Sequence, residues 1–203
     1  MKHSFWWKKA AVFAGVSGLA VGTANADITY NFTGVAYTGF NFSEIFAPGT
    51  VVGSLTAVSV NATLDASTNF TYADDLCVYV DPAPLSTGGL LQVGGFSNLS
   101  APRRAFWANG GSSAPGTTVI DTRSVGNPGV GPGAAWATAV TFTGTAADAS
   151  IWLGNGYGAA GTSGTWTGSI TLVGINAVPE PTSAGLLIAG SALAVAGLRR
   201  RRD

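Results

Sequence analysis

Three carboxylates and two indoles are the side chains of this sequence best suited to holding a ligand. Asp74 and Asp75 stand just before an apolar run, Leu76 to Val80, which Asp81 closes; Asp65 lies in the turn region ahead of them. Ca²⁺ takes about six to eight oxygen ligands, which carboxylates and loop carbonyls can supply together. Asp74 and Asp81 would lie roughly 23 Å apart along an extended strand, so one ion cannot use both. The compact arrangement is Asp65, Asp74 and Asp75 with backbone oxygens, though no Asp-x-Asp-x-Asp-Gly loop accompanies it. Turn chemistry explains the same acids with no metal at all. Trp107, beside Arg103 and Arg104, and Trp152, near Asn155 and Tyr157, fall outside any regular pattern. Their flat apolar faces are candidates for stacking on a polysaccharide.

Catalytic chemistry is poorly supplied. Between Asp27 and Val178 there is no histidine, lysine or methionine. That excludes Ser-His-Asp and Cys-His nucleophiles and imidazole-bound zinc from this part of the chain. Glycoside hydrolysis needs two carboxylates about 5–10 Å apart; Glu44 with an aspartate could provide them, but no spacing points to such a pair. No phosphate-cradling Gly-x-x-x-x-Gly-Lys-Ser/Thr loop is present. Cys77 is the one cysteine, so it forms no internal disulfide, and its apolar neighbours place it in a core. The expectation is a non-enzymatic protein that needs no cofactor.

The elements that must position these residues read as strands. Residues 27–178 are rich in glycine and proline, and the runs between these breaks alternate with period two. Val58, Val60, Ala62 and Leu64 alternate with polar residues; Trp136, Thr138, Val140 and Phe142 share one face; Trp166, Ile170 and Leu172 share another. Leu76 to Val80 is apolar on both sides, as a buried central strand should be. With weaker runs near 37–42, 90–96, 105–108, 117–120 and 150–153, about ten strands are expected. The fold class is all-β, an antiparallel β-sandwich spanning residues 27–177. The Gly/Pro-rich stretch 109–133, whose only strand-like island is 117–120, reads as a long loop.

Charge sorts the chain into three parts. Only 10% of the 203 residues are charged, against about 25% on average. Ten basic and ten acidic residues balance overall. The body from Asp27 to Val178, however, holds eight acids against Arg103, Arg104 and Arg123, a net charge near −5. Such a body is a poor partner for nucleic acid. Lys2, Lys8 and Lys9 precede an uncharged apolar stretch of about 13 residues, Ala10 to Gly22, and then Ala24-Asn25-Ala26. That order is a signal peptide, residues 1–26, cut by signal peptidase so that Asp27 becomes the first residue. At the other end, residues 182–198 carry no charge and four arginines follow, Arg199, Arg200, Arg201 and Arg202. Such a helix would be about 25 Å long, near the lower limit for crossing the inner membrane. The arginines orient its end toward the cytoplasm.

Pro179-Glu180-Pro181, the short apolar helix and the arginine cluster together resemble the PEP-CTERM sorting tail of Gram-negative bacteria, over residues 178–203. The resemblance implies recognition by an exosortase that cuts at or near Pro179, Glu180 and Pro181. It also implies a protein held briefly in the inner membrane, then delivered to the cell surface or the extracellular polymer matrix. A second resemblance lies in the body. Val58 to Leu64, Asp75 to Asp81 and Gly164 to Ile170 look like the P-domain pattern of a strand, an Asp-Leu-apolar strand and a closing Gly-x-Trp. This implies a jelly-roll sandwich, although the histidine usual before the Asp-Leu pair is absent. The function expected from all of this is a structural or adhesive surface protein, or alternatively a Ca²⁺- or polysaccharide-binding module.

Overall fold

Side chains that alternate with period two must lie on opposite faces of a strand, and the Val58–Leu64 run obeys this strictly. Val58, Val60, Ala62 and Leu64 are buried, whereas Ser59, Asn61 and Thr63 face outward. In the computed structural model, which describes residues 27–83, 85, 89–96 and 101–178, this run is the middle of one long strand. The expected signal peptide, the tail from Pro179 onward, the membrane helix expected at 182–198 and the arginine cluster lie outside the described residues. Among the described residues, no helix is long and apolar enough to cross a membrane.

Ten strands follow in chain order among those residues. They are β1 (Ile28–Thr38), β2 (Phe42–Phe46), β3 (Val51–Thr68), β4 (Leu76–Asp81), β5 (Leu91–Gly94), β6 (Arg103–Ala105), β7 (Thr118–Ser124), β8 (Val140–Thr143), β9 (Ser150–Asn155) and β10 (Ser163–Ala177). One sheet has the order β1-β10-β3-β7, with β8 pairing the other half of the same β3 edge. The second sheet has the order β2-β9-β4-β5-β6. The first strand thus pairs with the last and the second with the next to last, so that the two sheets pack as a sandwich. One detail departs from an all-antiparallel sandwich: β5 and β6 run parallel.

The core fills the space between the sheets. Trp136, Trp166, Phe142, Leu64, Leu76 and Ile170 are among its largest fully buried side chains. Burying such a side chain contributes roughly 1.5–3 kcal/mol. β4 lies in the middle of its sheet and is buried along its whole length. Its Leu76, Val78 and Val80 face the core, while Cys77 and Tyr79 join a smaller cluster on the outer face with Ala101, Phe42 and Trp152.

Four runs differ from the sequence reading, among them that near 105–108, where the strand is Arg103–Ala105 and ends at the first of those residues. The run near 37–42 is broken by a turn at Gly39, which has a left-handed φ of 54°, so it closes β1 and opens β2. Of the run from Trp136 to Phe142, only its end pairs as β8. Trp136 reaches the core from the preceding loop, and the exposed Thr138 accepts hydrogen bonds from Arg103. The stretch 109–133 is more than a loop, because its island extends to the seven-residue β7. The polar half of β7 is stabilised by a largely buried ion pair, Arg123 to Asp121 at 2.7 Å.

Candidate functional site

A short 3₁₀ helix, Ala73–Asp75, connects the end of β3 to β4 and carries Asp74 and Asp75. Its backbone is fixed from several directions. Ala73 N–H donates to Ser112 O (3.0 Å) and Asp74 N–H to Gly110 O (3.3 Å). The carbonyls of Asp74 and Asp75 accept from the N–H groups of Gly95 (3.0 Å) and Gly156 (2.7 Å). Two tryptophans complete the frame. Trp166 Nε1 donates to Ala73 O at 3.2 Å, and Trp107 Nε1 donates to Leu76 O at 2.8 Å.

Above this helix opens a cleft of about 480 Å³, a volume typical of small-ligand sites. Asp74, Asp75, Tyr72, Phe96, Phe106 and Trp107 line it, and Val130 to Pro132 from the Gly/Pro-rich stretch close one side. A side pocket of about 180 Å³ shares Tyr72, Asp75 and Phe96 and adds Phe70 and Tyr157. Asp75 therefore sits where the two compartments meet. Phe96 meets Tyr157 edge-on, with ring centroids 5.8 Å apart.

Both carboxyls are perturbed by their surroundings. Burial pushes Asp75 up to about 7; a 2.7 Å hydrogen bond from Tyr72 N–H to its Oδ2 opposes this, and the neighbouring Asp74 reinforces it. Burial also raises Asp74 above the usual carboxylate range. Asp74 Oδ1 is buried with no hydrogen-bond partner.

The residues singled out in the sequence separate into two groups. Asp74, Asp75 and Trp107 share the cleft. Trp107 is only 7% exposed and belongs largely to the core, so it forms the floor and not a free platform. Asp65 does not join them: it is exposed on β3 and accepts a hydrogen bond from Thr167. Among the described residues, no three His, Cys, Asp or Glu side chains come close enough to hold a metal ion. The triad Asp65, Asp74 and Asp75 is thus not assembled. Trp152 lies in the outer cluster, its Nε1 donating to Asp81 O at 3.0 Å, and lines neither compartment. Glu44, on β2, accepts from Ser150 Oγ at 2.6 Å, also away from the cleft.

Tyr72, Phe96, Phe70, Phe106 and Tyr157 were not legible as site residues. Their signal was available in one respect: Phe70 is a large apolar residue in turn-like surroundings outside any alternating run, and Phe96 ends the weak run 90–96 beside a turn. Each is 74% exposed.

A different part of the chain carries the comparison with known proteins. A family model described as the PEP-CTERM protein-sorting motif matches residues 177–202. The chain's tail carries a PEP-CTERM sorting motif. A PEP-CTERM tail marks an exported protein for exosortase and holds it transiently in the membrane. No curated protein and no solved structure matches the chain. The PEP-CTERM match begins at the last residue of β10, and Val178 N–H still donates to Thr50 O at 2.8 Å. The tail therefore leaves the sandwich beside the start of β3. The cleft lies toward the other end of that strand, where Leu64 pairs with Trp166. Leu64 is thirteen residues along β3 from Val51, roughly 43 Å of extended chain.

Proposed function

We propose that the mature sandwich is a non-enzymatic structural or adhesive protein of the cell surface or extracellular matrix. The PEP-CTERM motif at residues 177–202 is the observation that carries this reading. In this scheme signal peptidase cuts after Ala26 and leaves Asp27 first. The apolar segment 182–198 spans the inner membrane with Arg199 to Arg202 inside, and exosortase cuts at or near Pro179 to Pro181. The body between the two cuts has no histidine or lysine to serve as a base or nucleophile, in keeping with a role in contacts and not in turnover. A polysaccharide-binding role is the second reading. It is favoured by an aromatic cleft set away from the point where the tail departs.

Mass spectrometry of cell fractions tests the route. The expected product begins at Asp27, ends near Pro179 and is found at the surface or in the medium. Deleting the exosortase, or substituting Glu180→Ala, is expected to retain the tail in the membrane fraction. Full-length polypeptide in the cytosol, with leader and tail intact, would overturn the reading.

A further inference from the structure

Two desolvated carboxylates in an aromatic cleft specify a ligand more narrowly than surface adhesion does. Asp74 and Asp75 are the only charged residues among the described residues lining either compartment. Asp74 Oδ1 is buried without a hydrogen-bond partner, which is costly and adds to the desolvation of the pair. The backbone on which both acids stand is held by Trp166, Trp107, Gly95 and Gly156. The carboxylates are therefore preorganised in place.

The rim carries a second, independent signal. Phe70 holds a left-handed φ of 61°, an unusual conformation for a bulky residue, while its ring remains 74% exposed. Phe96 is equally exposed across the same side pocket. Neither ring gains much from the core, so both are free to meet a ligand.

Chemical classes can be weighed against this lining. A hard metal ion wants about six to eight oxygens, whereas these walls are mainly apolar, with four aromatic residues and only two carboxylates. An anion would be repelled by both acids. A neutral polyol suits the rings but brings no counter-charge with which the two carboxyls could ionise. An organic ammonium satisfies both features: it donates charge-assisted hydrogen bonds to the carboxylates and is attracted to aromatic faces. The exposed rings at the rim then suit the apolar face of a pyranose to which that ammonium is attached.

We propose that this cleft binds an amino sugar with a free ammonium group, the nitrogen held by Asp74 and Asp75 and the ring stacked on Phe96, Tyr72 and Phe70. The proposal rests on the polysaccharide-contact reading only for the polymer that presents the sugar.

Calorimetric titration tests it, with protein purified from whichever cell fraction contains it. The three probes are a glucosamine tetramer, its fully N-acetylated counterpart and choline. The glucosamine tetramer is expected to bind, the acetylated form about tenfold or more weakly, and choline more weakly than the tetramer. Phe96→Ala, far from the core, is expected to weaken the tetramer by about three- to tenfold. Asp75→Asn is expected to weaken it by about tenfold or more, with unchanged circular dichroism. Should Asp75→Asn fail to fold, the acetylated probe and Phe96→Ala still decide. Equal affinity for the acetylated tetramer overturns the ammonium role, and choline binding as tightly as the tetramer overturns the sugar. Absence of binding by all three probes, or unchanged binding by Phe96→Ala, overturns the site. None of these outcomes depends on whether the tail has been processed.

Discussion

The indole N–H of Trp166, on the central strand β10 of one sheet, donates to the carbonyl of Ala73 at 3.2 Å. This contact crosses the core and fixes the 3₁₀ helix that presents Asp74 and Asp75. Trp166 is fully buried, so it acts both as a packing unit and as a strut for the site. Trp166→Phe removes the donor and leaves a void. The expected loss is about 1–3 kcal/mol in urea unfolding. The variant is also expected to lose affinity for any cleft ligand while keeping an all-β circular dichroism spectrum.

Gly94→Ala is expected to be more damaging than a single methyl group suggests. Gly94 has a φ of 82°, and a Cβ there would overlap Trp107 Nε1 and the Leu76 carbonyl, the two ends of one buried hydrogen bond. The variant is expected to lose roughly 2 kcal/mol or more in stability and to shift tryptophan emission. Unchanged melting and emission would mean that this bond does not hold the cleft floor.

The stability of the protein should depend on pH through Asp75. Its carboxyl titrates at about 7 in the fold, against about 3.9 in an unfolded chain. The native state therefore keeps a proton that the unfolded state releases. This contribution is fully present below about pH 4 and is lost as pH rises through about 7. The groups facing Asp75 are Tyr72, whose N–H donates to it, its neighbour Asp74, and Cys77 on β4. Asp75→Asn keeps the shape and stays neutral. It is expected to match the parent near pH 4.5 and to be more stable by a few kcal/mol at pH 8. Parallel stability profiles for the two proteins would refute this.

Cys77 should be inert in the native state. The thiol is fully buried in the outer cluster, and burial, reinforced by the charge of Asp75, raises its pKa. Labelling with a thiol reagent at pH 8 is expected to be negligible without denaturant and complete in 6 M guanidinium, about the concentration that unfolds even hyperstable domains. Rapid native labelling would show that the outer cluster opens readily.

What the sequence made legible follows from how each signal arises. Alternation in Val58–Leu64 and the two-sided apolarity of Leu76–Val80 are set by burial alone, so β3 and β4 were readable from one chain. The sorting tail is a linear signal and was equally readable. β7 was only half visible because Asp121 and Arg123 satisfy each other inside the structure, whereas in sequence they look like loop residues. The cleft was hidden for a different reason. Tyr72, Phe96, Phe106 and Val130 come from four separate loops, and only the pairing order of the sheets brings them to Asp74 and Asp75. Asp65 was misjudged because it is near those acids along the chain but turns outward to Thr167 on the neighbouring strand β10 of its own sheet.

The position of β10 has a mechanical consequence. It is the strand that continues into the tail, paired antiparallel with β3 along nearly its whole length and with β1 from Ser163 to Leu172. Tension applied through the tail would run along the strand, across hydrogen bonds that lie perpendicular to it. The β3 ladder next to the tail, and both ladders from Leu172 inward, would then be loaded in shear instead of unzipping one bond at a time. A pull applied at Ala177 would therefore meet more resistance than one that peels an edge strand from its sheet.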